Sequence, residues 1–129
     1  MNDDERDEAN GAILVVDDDP KLREAVARIL ENRGHHVLRA PDGPTAVQMA
    51  KDHEVDLMVL DYMMPGMDGE MVLGAMDEPP PTLLLTADLQ ALPRAAEMGA
   101  AAGLEKPFRV PDLLDAVEEH LRKLADEAS

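Results

Sequence analysis

The chain has no cysteine and no tryptophan, and only one tyrosine and one phenylalanine among 129 residues. Without thiols there is no disulfide framework, no thiolate nucleophile and no sulfur-ligated metal. Ser129 is the only serine, so serine-nucleophile chemistry also lacks its central residue. No apolar run approaches the roughly 20 residues of a membrane-spanning helix. The first ten residues hold five acids against one arginine and carry no apolar segment of the secretory kind, so a cytoplasmic location is expected. Basic residues are scarce as well: 12 Lys and Arg stand against 28 Asp and Glu, for a formal charge of −16. A surface of that sign repels phosphate backbones and anionic headgroups over about one Debye length. With no cluster of Lys and Arg to offset it, neither nucleic acid nor a membrane is expected as a direct partner. Glycine-rich phosphate loops are missing, and no two of His35, His36, His53 and His120 have the i, i+4 spacing of a helical metal site.

What remains is enough for one α/β domain. With 45% hydrophobic residues, a chain of this length buries an ordinary core, built here from Leu, Val, Ile, Met and Ala. Five short apolar runs alternate with longer amphipathic stretches. The run 12–16 reads as a strand, followed by Asp19 as a helix cap, Pro20 at the first helical position and inward Leu22, Ala25, Val26, Ile29 and Leu30, with Gly34 closing the helix. A strand over 36–40 precedes a helix over 43–53 with Ala46, Val47, Met49 and Ala50 inward, and 57–60 is a fully apolar third strand. A short helix over 69–76 is stopped by Pro79–Pro81, and 82–85 is the fourth strand. Pro93 limits the next helix to 93–98, 103–105 is a short fifth strand, and Pro111 opens a final helix with Leu113, Leu114, Val117, Leu121 and Leu124 on one face. Continuously apolar strands alternating with helices indicate a parallel sheet covered on both sides, a doubly wound fold. The expected boundaries are an acidic disordered tail over 1–11, the domain over 12–125 and a C-terminal tail over 126–129.

In such sheets the functional crevice lies beyond the carboxyl ends of the strands. Those ends are unusually polar. The first strand ends in Asp17, Asp18 and Asp19, the third in Asp61, the fourth in Thr86, Ala87 and Asp88, and the fifth in Lys106 and Pro107. Two carboxylates about 4 Å apart repel by roughly 4 kcal/mol at an effective dielectric of about 20, so such a cluster must take up a proton or a cation. Oxygen ligands without His or Cys suit Mg²⁺, with Mn²⁺ as the alternative. A carboxylate beside such an ion, with an ammonium and a hydroxyl able to meet phosphoryl oxygens, is equipped for phosphoryl transfer to an aspartate. Taken singly, Asp17 and Asp18 also read as surface-turn acids, Asp19 as a helix cap, Lys106 as a surface lysine and Thr86 as a strand end.

The stretches Ile13-Leu-Val-Val-Asp-Asp-Asp-Pro20, Asp61-Tyr-Met-Met-Pro-Gly-Met-Asp-Gly69, Leu85-Thr-Ala87 and Glu105-Lys-Pro-Phe108, in this order, resemble the receiver domain of bacterial two-component response regulators, in its stand-alone, chemotaxis-regulator-like form. The resemblance runs from about Ala12 to Leu124. It implies a flavodoxin-like fold with five strands in the order 2-1-3-4-5 and a phospho-acceptor at Asp61, supplied by a sensor histidine kinase or phosphotransfer protein. It further implies Mg²⁺ bound by Asp18, Asp61 and the backbone carbonyl of Met63, with Asp17 acting through water. Lys106 pairs with Asp61 and then the phosphoryl group, Thr86 and Ala87 bind the phosphoryl group, and a cis peptide joins Lys106 to Pro107. Met63 and Asp88 modulate hydrolysis. Such a protein labels itself and slowly loses the label rather than turning over a substrate, and it signals through an unknown downstream protein, acts as a phosphoryl shuttle or sink, or forms a weak dimer.

Two departures stand out. Members commonly carry an aromatic switch residue where this chain has Gly103, and the segments between Asp61, Thr86 and Lys106 are shorter than usual. Altered output with retained phosphorylation chemistry is the expectation. Two alternatives stay open at this point: a receiver-like interaction module that is never phosphorylated, and a haloacid-dehalogenase-type phosphatase using Asp17 and Asp19. Against the latter, Lys21 stands where a Thr or Val is usual, and the chain has no room for a cap domain.

Overall fold

Strands form where an apolar run leaves no polar face to show to water, and the five runs here pair into one parallel sheet. In the computed structural model, which describes residues 11–128, β1 (Ala12–Val16) is buried along its whole length. The helix α1 (Pro20–Glu31) starts because the Asp19 carboxylate accepts the Lys21 backbone N–H at 3.0 Å and Pro20 needs no donor there. It stops where Gly34 turns to a φ of +91° and Gly34 and His35 donate back to Glu31 and Leu30. Then follow β2 (Val37–Ala40), α2 (Gly43–Asp52) capped by Asp42, β3 (Val55–Asp61), α3 (Gly69–Ala75) capped by Asp68, and β4 (Thr82–Thr86). A 3-10 turn (Leu92–Arg94), β5 (Ala102–Glu105) and α4 (Val110–Ala128) complete the chain.

The strand order is β2-β1-β3-β4-β5, the doubly wound, flavodoxin-like arrangement of the receiver domains. Val16 pairs with Ala40 and Leu60, Asp61 with Leu85, and Thr86 with Glu105, so the carboxyl ends lie along one edge. Side chains alternate between two core layers. One joins Leu14, Val16, Met58, Leu60 and Leu84 to α2, α3 and the 3-10 segment. The other joins Ile13, Val15, Val59, Leu83 and Leu85 to α1 and α4. Leu, Val, Ile, Met and Ala make up all of both buried layers. Among the described residues no helix is long and apolar enough to cross a membrane.

The structure differs from the sequence expectation at Ala25, expected inward on the first helix but exposed while Ala27 is buried in its stead, and by two residues or more in three stretches. The helix expected over 93–98 is a 3-10 turn over Leu92–Arg94 followed by single turns up to Gly99, which has a φ of +98°. Pro93 suits the first turn of either helix type, so the stop comes from Gly99, whose φ of +98° ends the run after these few turns. The final helix continues to Ala128, through the segment expected as a tail from 126. The third strand starts at Val55, two residues before the uniformly apolar part, because half-buried Val55 still pairs with Ala12, and the register then skips Asp56 before Leu57 pairs with Ile13. Of the acidic tail expected over 1–11, residues 1–10 lie outside the described residues.

Candidate functional site

The parallel register gathers the polar strand ends into one site. Carboxylate oxygens of Asp17, Asp18 and Asp61 lie within 4.8 Å of one another. Asp17 and Asp61 are buried and Asp18 is exposed. Lys106, one residue beyond β5, reaches across β4 to place its Nζ 2.9 Å from Asp61 Oδ1 and 3.5 Å from Asp17 Oδ2. Asp17 Oδ1 accepts the Asp19 backbone N–H at 2.9 Å, which forms the turn into α1. Its other oxygen, Oδ2, is buried and accepts no hydrogen bond.

Charge does not balance in this space. Two buried carboxylates and a third at the rim face one ammonium, and each close pair of acids costs roughly 4 kcal/mol at an effective dielectric of about 20. Burial pushes the Asp61 carboxyl above the usual carboxylate range. The hydrogen bond from Lys106 pulls it back, the negative charge of Asp17 pushes it further up, and the Met63 backbone N–H lowers it. A buried carboxylate oxygen with no donor, in an all-oxygen cluster, fits a hard divalent cation of the Mg²⁺ kind.

Thr86 ends β4 fully buried, and its hydroxyl accepts the Asp88 backbone N–H at 2.9 Å. Ala87 is exposed between them, and the Asp88 carboxylate accepts the Gln90 N–H. Met63 is 63% exposed and lines a groove with Asp18, Met64, Pro65, Gly66, Asp68 and Met71. The Lys106–Pro107 peptide is cis. Gly103 carries nothing inward, and Leu92 of the 3-10 turn fills the space: a carbon attached at Gly103 would lie 2.8 Å from Leu92 Cδ2.

Two contributors are invisible to sequence reading. Arg23, on α1, donates from Nη1 to the Asp17 backbone carbonyl at 3.0 Å, clasping the acidic turn from the helix it leads into. At a spacing of six, an arginine near a helix start reads only as a solvated cation. Leu92 over Gly103 is the second, because nothing in the sequence pairs a turn residue with an edge-strand glycine.

The receiver-domain profile of response regulators matches residues 13–118. Sporulation initiation phosphotransferase F of Bacillus subtilis (strain 168) is 32% identical over 117 residues, covering 87% of this chain and 94% of that protein. Response regulator MprA of Mycobacterium avium (strain 104) is 39% identical over 120 residues, but the chain spans only 53% of its length. Among solved structures, the receiver domain of NtrX from Brucella abortus superposes with a TM-score of 0.80 at 31% identity, over 85% of this chain and 98% of that one. Chemotaxis protein CheY4 of Vibrio cholerae gives 0.75 at 28% identity, over 84% and 96%. Sequence, fold and the gathered strand-end residues agree: the chain belongs to the response regulator receiver domain family.

Proposed function

We propose that this chain accepts a phosphoryl group on Asp61 from a phosphohistidine of a sensor histidine kinase or phosphotransfer protein, in a reaction that needs Mg²⁺. The observation that carries the reading is the buried Asp61 carboxylate bonded to Lys106 at 2.9 Å beside an Asp17 oxygen that no donor satisfies. A carboxylate oxygen of Asp61 forms the new O–P bond as the N–P bond of the donor breaks, and the departing imidazole nitrogen takes its proton from water. Lys106 keeps Asp61 oriented and then meets the charge of the transferred group. The Thr86 hydroxyl, at the neighbouring strand end, is the donor for a phosphoryl oxygen, joined by the backbone N–H of Ala87. Asp18, Asp61 and the Met63 carbonyl would hold Mg²⁺, with Asp17 through water. When bound, the ion offsets the carboxylate charge and polarises the phosphoryl oxygens. Met63 and Asp88, at the rim of the site, set how readily water reaches the acyl phosphate.

The relative named as a phosphotransferase, aligned over almost its whole length, supports a phosphoryl shuttle as the output; signalling through protein contacts and a cytoplasmic location belong to the same reading of the family. The chain is modified itself and slowly releases the group, so it is no turnover enzyme. Beryllofluoride, a phosphoryl mimic, tests the arrangement. In an NMR titration with Mg²⁺ it should shift the amides around Asp61, Thr86 and Lys106, and the shifts should vanish without Mg²⁺ or in Asp61→Asn. Shifts that persist in Asp61→Asn contradict the assignment.

A further inference from the structure

Within a strand, alternate residues share a face, so Leu84 and Thr86 point to the same side of the sheet. Gly103 pairs with Leu84 in register and belongs to that side. Over it lies the segment 87–99, packed down by buried Ala91, Ala95 and Met98. Leu92 is its contact with β5. A carbon attached at Gly103 would meet Leu92 Cδ2 at 2.8 Å and Ala95 Cβ at 3.6 Å, so the leucine occupies the room that a side chain at 103 would take.

The other end of this segment begins on the Thr86 hydroxyl. That oxygen accepts the Asp88 N–H at 2.9 Å; Asp88 Oδ1 accepts the Gln90 N–H at 2.9 Å; the Asp88 carbonyl accepts the Ala91 N–H at 3.0 Å; and the Ala91 carbonyl accepts the Arg94 N–H at 3.0 Å. Leu92 is inside this continuous run. A rotation of the Thr86 hydroxyl toward Asp61 would withdraw the acceptor from the Asp88 N–H, the first link of this run.

We propose that Leu92 is a positioning residue: seated on Gly103, it holds the 87–99 segment and the Thr86 hydroxyl as they are found here, and it leaves Gly103 when that hydroxyl turns to a phosphoryl group on Asp61. The inference rests on Asp61 being the acceptor. It gives the site a mechanical reporter at β5, the edge strand that Leu92 touches. A variant that disfavours the seated arrangement shifts the population toward the phosphoryl-competent one. Gly103→Ala does so gently, because the displaced atom is the far end of a flexible side chain. Leu92→Ala does so by emptying the seat.

A double-mutant cycle tests this, read as the initial rate of phosphoryl labelling by acetyl phosphate with Mg²⁺. Gly103→Ala and Leu92→Ala should each raise the rate by about threefold or more, the scale on which touching side chains couple. Gly103→Ala should add nothing once Leu92 is alanine, and Leu92→Met should restore the wild-type rate. A Gly103→Ala effect undiminished in the Leu92→Ala background, or rates equal to wild type in both single variants, overturns the proposal. A Leu92 that served only as packing would lower the melting temperature and leave the rates alone, which overturns it too. Absence of labelling in the wild type overturns the acceptor reading and this inference together, whereas a labelled wild type with additive variants overturns the role of Leu92 alone.

Discussion

The two flanks of the sheet are built of different material. On the β2 side, α1 is a full 12-residue helix whose Leu30, Val26 and Ala27 are buried. Arg39 on β2 ties back to α1 through Glu24 at 2.9 Å and Glu31 at 2.9 Å. On the β5 side, the crossover from β4 is a three-residue 3-10 turn packed by alanines, and β5 itself alternates between half-buried and exposed. The acid cluster and Lys106 lie between. The denser flank holds Asp17 and Asp18, while Thr86, itself fully buried, leads into the lightly packed segment that precedes β5 and Lys106. Low packing density is where local opening concentrates.

The largest expected effect comes from the dense flank. Leu30→Ala should cost about 2–5 kcal/mol in denaturant unfolding, as a fully buried leucine does, while Leu92→Ala, half-buried on the light flank, should cost about 1 kcal/mol. Equal losses would erase the contrast. Asp61→Asn should act in the opposite direction. Because burial raises the Asp61 carboxyl above its unfolded value, the native state binds that proton more tightly. Its contribution is therefore fully present below the ordinary carboxylate range and is lost as pH rises through the elevated folded value. At neutral pH the asparagine variant should melt higher than wild type, and the gap should close on acidification. A gap that widens as pH falls would place the cost elsewhere.

The smallest effect is expected at the partly exposed Arg39 network. Arg39→Ala should lose under about 1 kcal/mol, and less at high salt. Hydrogen bonding to Arg39 holds Glu31 below the usual carboxylate range. The contribution is thus present above that range and fades as pH drops through the depressed value. A loss of several kcal/mol would mean that the surface charges, rather than the buried face of α1, stiffen that flank.

Much of this arrangement is legible in the sequence. The fully apolar runs of β1 and β4 and the Asp19-Pro20 start of α1 are local signals, and they placed Asp17, Asp18, Asp61, Thr86 and Lys106 at strand ends. Their convergence follows from parallel topology alone. What sequence could not supply depends on tertiary geometry: that Asp17 rather than Asp18 is the buried acid, that Arg23 clasps the turn, and that Pro93 opens a 3-10 turn instead of a short α-helix. The vacancy at Gly103 was readable, but its filling by Leu92 from eleven positions earlier was not, because neither residue carries a pattern that points to the other.

The central claim is that the acid pocket is a phosphoryl acceptor, and one measurement addresses it most directly. Incubation with acetyl phosphate, followed by mass spectrometry of the intact chain and of its peptides, should show a single phosphoryl group per molecule, on Asp61, formed with Mg²⁺ and absent when the ion is chelated. A label on another residue, or a label on Asp61 that forms equally well without the ion, would contradict the account.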